Sequence, residues 1–166
     1  MKRTKMKTTR RAIDYWSKKN ASNKVIQRLE YPNDVDEELL PLLDILNSIP
    51  GVRTLFSCCG HSKEPFYIVI GFTSLEARHL ITQMLQCFEF FAKNKYKLLD
   101  IEDDHYPHAT FKVEEFWCGR FSKIVKECEV GFYSEDLGLK SKVGRVKDYK
   151  RICNFLLTLV PDKHWK

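Results

Sequence analysis

The sequence lacks the short signatures by which most small-molecule enzymes are recognised. No GxGxxG follows an apolar run, no P-loop occurs and there is no GxSxG elbow. A doubly wound nucleotide fold and a standard Rossmann methyltransferase are therefore not supported. The six cysteines, at 58, 59, 87, 118, 128 and 153, contain no CxxC pair, so the usual zinc spacings are absent. Trp117-Cys118-Gly119-Arg120 lacks the second cysteine that a dithiol redox site needs. No apolar run approaches bilayer length, and the basic N-terminus has no apolar h-region behind it. A soluble, cytoplasmic protein is expected, in which an even cysteine count is poor support for disulfides. A bridge between the adjacent Cys58 and Cys59 would be strained. No period of 20–50 residues points to a repeat array.

Acidic residues are absent from Met1 to Arg11, a stretch that holds Lys2, Arg3, Lys5, Lys7, Arg10 and Arg11. Those six taken from 28 basic residues leave 22 against 22 acidic, so the net charge of +6 belongs to an N-terminal arm on a neutral body. The arm suits phosphate neutralisation, and a solvated terminus is the plainer account. A second basic group, Lys140, Lys142, Arg145, Lys147, Lys150 and Arg151, is a further nucleotide or RNA contact, or else an exposed helix face. At 166 residues, 43% hydrophobic and 13% aromatic, the chain fits one domain, residues 12–166, behind a basic arm, residues 1–11.

Taken in order, residues 12–29 read as helical until Tyr31-Pro32. Asp34 with Glu37 offers a capping box, and Val35, Leu39, Leu42, Leu43, Leu46 and Ile49 recur at helical spacing. Pro41 places the regular start near Leu40, and Pro50-Gly51 ends the helix. Val52 to Ser57 and Phe66 to Phe72 read as strands. Thr73 or Ser74 caps a helix running to about Ala92. Lys97 to Ile101 and Ala109 to Phe116 are further strands. Arg120 to Cys128 reads as helix, Glu129 to Tyr133 as an edge strand and Ser134 to Val143 as loop. Asp148 to Val160 forms the last helix. The short link between the first two strands requires antiparallel pairing there. The fold expected is α+β, a mixed, partly antiparallel sheet with helices packed on it in a single domain.

The candidate site is Ser57, Cys58, Cys59, Gly60 and His61, between the first two strands. Gly60 after small polar residues allows a tight turn that presents amide N–H groups to an anion. Cys58 is a nucleophile if His61 or a positive field lowers its pKa. The plainer account is a strand-to-strand turn whose cysteines only pack. His105 and His108 with Asp103 and Asp104, joined by Cys58 or His61, offer mixed metal donors, but without a defining spacing they read as an acidic surface loop. No metal site is assigned from the sequence, and no catalytic residue. His108-Ala109-Thr110 resembles half of a two-histidine phosphoesterase motif, which His61-Ser62-Lys63 does not complete.

The stretch around this turn resembles the family of tRNA wybutosine-synthesizing protein 3. That family carries a V-D-E segment, a helix ending in L-N, T-x-S-S-C-[SA]-G-R at a strand end, an E-P-F strand and a helix with L-E-x-A. Here these read Val35-Asp36-Glu37, Leu46-Asn47, Thr54 to His61, Glu64-Pro65-Phe66 and Leu75-Glu76-Ala77, over about residues 34–91. His61 stands where the family has arginine, and Phe56 where it has serine. The resemblance implies a domain that binds S-adenosylmethionine and methylates a guanosine-derived base in tRNA, with Ser57, Cys58 and Gly60 in its site. The alternative is a non-catalytic module binding a nucleotide or nucleic acid at the same turn.

Overall fold

Pro41 decides where the first helix begins. In the computed structural model, which describes residues 23–26, 29–87, 97–100 and 125–163, a 3-10 turn at Glu37–Leu39 leads into α1, Leu40–Ser48. Pro41 falls in the first helical turn, where its missing N–H removes no bond and its fixed φ fits. Asp34 is not the cap. It lies in the preceding turn, and Asp36 takes the N-cap position without a side-chain cap bond, because its carboxylate is engaged elsewhere. Gly51, at φ 79, then turns the chain into β1, Val52–Cys58.

The remaining elements are β2 (Phe66–Phe72), α2 (Leu75–Cys87), β3 (Lys97–Asp100), β4 (Val125–Ser134), α3 (Glu135–Leu139) and α4 (Lys142–Leu156). A 3-10 turn, Leu157–Leu159, precedes Pro161. The strands form one sheet in the order β1-β2-β4-β3, and every pairing is antiparallel. The fold is thus α+β, with no parallel pair among the described strands. No helix among the described residues is long and apolar enough to cross a membrane.

Five further expectations require correction. Residues 125–128 are strand, not helix, and 129–133 lie inside the sheet between β2 and β3 rather than at an edge. The alternation is carried by Val130, Phe132 and Ser134, all buried, and the charges upstream hide it. The expected loop 134–143 contains α3 and the start of α4. Each has a serine cap: the Ser134 hydroxyl accepts from the Leu137 N–H at 3.2 Å, and that of Ser141 from the Gly144 N–H at 3.3 Å. The last helix starts six residues earlier than Asp148, at Lys142. Residues 23–26, placed at the end of a first helix, instead run beside the C-terminal segment through a Lys24–Asp162 bridge. Leu29, the end of that expected helix, is not helical either, and residues 12–22 and 27–28, the basic arm, the Ala109–Phe116 strand and the His105/His108 loop lie outside the described residues.

The core forms where α1 and α4 meet the sheet. Leu39, Leu42, Leu43, Leu46 and Ile49 pack with Phe66, Ile68, Ile70 and Phe72 of β2 and with Tyr149, Ile152 and Leu156 of α4. α1 is also pinned to β1 by polar contacts. The Asn47 side chain accepts the Thr54 N–H and donates to the Thr54 hydroxyl, both at 2.8 Å. A register shift in the β1–β2 pairing follows directly, between Thr54 and Phe56. An amide that would otherwise be a lost ladder bond is thereby satisfied, which matters because burying it unpaired would cost about 1–3 kcal/mol.

Candidate functional site

The turn after β1 is built on two glycines. Gly60 has φ 86, and a Cβ there would lie 2.2 Å from the Glu64 carbonyl oxygen and 2.5 Å from the Gly138 Cα. A Cβ on Gly138 would lie 2.1 Å from the same oxygen. The 57–64 turn therefore rests directly on α3, backbone against backbone. The Gly60 carbonyl accepts from the N–H groups of Lys63 and Glu64, closing the turn. His61 at φ 50 and Ser62 at φ 65 continue the left-handed conformation, which is uncommon away from glycine.

Beneath the turn lies a buried ionic network. The Arg145 guanidinium donates to both Glu38 carboxylate oxygens, from Nε at 2.6 Å and from Nη2 at 3.1 Å. Its Nη1 donates to the Ser62 hydroxyl at 2.8 Å and to the Lys140 carbonyl at 2.7 Å. The Tyr149 hydroxyl donates to Glu38 at 2.9 Å. Arg145 and Glu38 are both buried. Burial pushes the Glu38 carboxyl up, but the hydrogen bonds from Arg145 and Tyr149 outweigh it and hold the carboxyl below its ordinary value. Its bond to Glu38 raises Arg145, while burial and the Glu38 charge raise Tyr149. Glu38 stays ionised, and Ser62 is held from below.

The exposed side of the turn is formed by His61 with Asp36 and Cys58. The His61 side chain is 60% exposed, that of Asp36 only 18%, and the His61 Nε2 lies 3.3 Å from Asp36 Oδ1. Asp36 Oδ2 accepts the Cys59 N–H at 2.8 Å, and the Gly60 N–H approaches Cys58 Sγ at 3.4 Å. These are two of the amides expected to cradle an external anion. The chain's own carboxylate and thiol occupy them, so the cradle is filled from within. Burial pushes the Cys59 thiol up to about 12, and burial with the Asp36 and Glu64 carboxylates raises Cys58 against the pull of the Gly60 amide. Thiols held in the protonated form are poor nucleophiles, so the nucleophilic reading of Cys58 gains no support. The Ser57 hydroxyl is buried and has no hydrogen-bond partner among the described residues.

All five expected site residues are thus contiguous in the turn, and the structure adds Asp36, Glu38, Ser62, Arg145 and Tyr149. In the sequence, Asp36 and Glu38 have a sufficient local role as acids near a helix start, and Arg145 as part of a basic group. That basic group divides: Arg145 is internal, Lys140 pairs with Asp148, and Lys142, Lys147 and Arg151 are exposed. Comparisons with protein-family models, curated proteins and solved structures found no match.

Proposed function

We propose that the protein is a small-ligand-binding domain of the S-adenosylmethionine or nucleotide class, with the outer face of the 57–62 turn as its site. One observation carries the reading. Gly60, His61 and Ser62 adopt three consecutive left-handed conformations, two of them on residues with a Cβ. Each such residue costs about 1–3 kcal/mol and persists only where its surroundings over-determine it, a condition that clusters at ligand sites. Here the cost is met by the glycine stacking and the Arg145 network, and the result is an imidazole presented to solvent. The sequence resemblance supplies the ligand class, and with it a cytoplasmic role in tRNA base methylation. The raised thiols favour binding, or methyl transfer from a bound donor, over covalent thiol chemistry.

Isothermal titration of the full chain with S-adenosylmethionine, S-adenosylhomocysteine and ATP tests this. The first two are expected to bind one per chain, with at least about tenfold weaker binding in His61→Asn, since asparagine tolerates the left-handed conformation. ATP binding without binding of the methyl donor would turn the reading to the nucleotide module. Silence from all three would refute both. RNA contact is read separately, from the salt slope of tRNA binding with and without Met1–Arg11.

A further inference from the structure

Two distant parts of the chain bring three kinds of metal-binding donor around one point. Asp36 comes from the turn before α1, Cys58 from the end of β1 and His61 from the left-handed turn beyond it. One donor atom of each lies within 4.8 Å of the other two. The Asp36 Oδ1 to His61 Nε2 separation is 3.3 Å. A tetrahedron with that edge has centre-to-vertex bonds of about 2.0 Å, the length zinc makes to carboxylate oxygen and imidazole nitrogen. A set of carboxylate, thiolate and imidazole suits zinc and its borderline neighbours, whereas calcium and magnesium take oxygen.

Each donor is also held from behind, as the outer shell of a metal site is. Asp36 uses its second oxygen to accept the Cys59 N–H at 2.8 Å. The Gly60 N–H approaches Cys58 Sγ at 3.4 Å, the contact a thiolate ligand accepts. His61 Nδ1 lies 3.4 Å from Cys59 Sγ. With the Nε2 lone pair given to a metal ion, Nδ1 of a neutral imidazole carries the proton and donates to that sulfur.

We propose that Asp36, Cys58 and His61 bind one zinc-class divalent ion, with Cys59 as the positioning residue behind Asp36 and His61. Cys58 releases its proton to solvent on binding. Three protein ligands leave one tetrahedral position for water or for an anionic group, as in open zinc sites. The ion also supplies positive charge at a point where the Cys59 and Gly60 amides are used internally. This assignment is independent of the methyl-donor reading, because metal binding is measured with no organic ligand present.

The reduced, metal-free full chain is titrated with cobalt(II), followed by displacement with zinc(II). The expected result is one ion per chain, with a thiolate-to-cobalt charge-transfer band, tetrahedral d–d bands and a zinc dissociation constant below about 1 µM. Asp36→Asn, Cys58→Ser and His61→Asn should each weaken binding at least about 100-fold, and Cys59→Ala about 10–100-fold with the charge-transfer band retained. His79→Ala, on the exposed face of α2, should change nothing. Far-UV circular dichroism confirms that each variant is folded, and Cys58→Ala replaces any serine variant that is not. Absence of the charge-transfer band would overturn the proposal. So would a band lost in Cys58→Ser but kept in both Asp36→Asn and His61→Asn, since the ion would then sit at another arrangement of thiols.

Discussion

Replacing Arg145 by methionine tests whether the buried ion pair supports the turn. The substitution keeps a long unbranched side chain but removes the cation from Glu38, the donor from the Ser62 hydroxyl and one donor from the Lys140 carbonyl. Glu38 is 8% exposed and Arg145 4%, so solvent cannot replace the lost partner. Breaking a buried pair by removing one member costs about 3–5 kcal/mol, against a total stability of about 5–15 kcal/mol for a domain. Urea denaturation at pH 7, followed by far-UV circular dichroism, should show that loss as a lower midpoint with little change in slope. The double variant Glu38→Leu/Arg145→Met should recover at least about 1 kcal/mol of it, because no buried charge is stranded.

The pH dependence gives the same experiment a sign. Glu38 is held below its ordinary 4.5 in the folded protein. Its stabilising contribution is therefore fully present above the unfolded carboxyl pKa and is lost as pH falls through the lower folded value. In Arg145→Met the Arg145 contribution is gone while burial and the Tyr149 bond remain, so the carboxyl rises relative to the wild type and that variant loses less stability as Glu38 protonates. The gap between the two proteins should be widest near neutrality and narrow as pH falls below about 4.5. A loss under about 1 kcal/mol at pH 7, the figure for an exposed pair, or a gap that does not vary with pH, would refute a buried, ionised Glu38.

Gly138→Ala should destabilise the domain by about 2–4 kcal/mol, since its Cβ would meet backbone at 2.1 Å rather than a flexible side chain; thermal unfolding reads the shift, and a neutral result would mean that α3 does not carry the turn. Asn47→Ala should cost about 1–3 kcal/mol by stranding the Thr54 N–H, and should accelerate exchange of that amide by the corresponding factor. Cys59, pushed up to about 12 by burial, should resist iodoacetamide at pH 8 and react measurably only as pH approaches that value. Peptide mass spectrometry of the native protein gives the rate, and labelling as fast as in urea would refute the burial.

The elements that could be read from the sequence are those whose signal is local and uniform. Phe66–Phe72 is an unbroken apolar, β-rich run, and the strand matches it residue for residue. Pro41 marked the start of α1 because proline's constraint acts within one turn. The misreadings come from segments where two signals conflict. In Val125–Ser134 the lysine and glutamates mask an alternation that only burial at Val130 and Phe132 reveals. Ser134 and Ser141 each carry a cap signal, masked by the loop-like character of Gly138 and Lys140 between them.

The turn that holds the candidate site was legible in the sequence and its long-range contacts were not, for a definite reason. Cys58, Gly60 and His61 announce themselves because they are close in the chain. Their partners Asp36, Glu38 and Arg145 do not, because each has an adequate local explanation as a helix-end acid or a surface base. Arg145 did carry one contrary signal. It lies on the same helical stripe as Tyr149, Ile152 and Leu156, at spacings of four, three and four, and all three are buried. A charged residue on the apolar stripe of a helix cannot be solvated there, so it must find a counter-charge across the core. The acids nearest the start of α1 are the ones that α4 packs against. That single irregularity links the C-terminal helix to the residues beside Asp36, and so to the turn that presents His61.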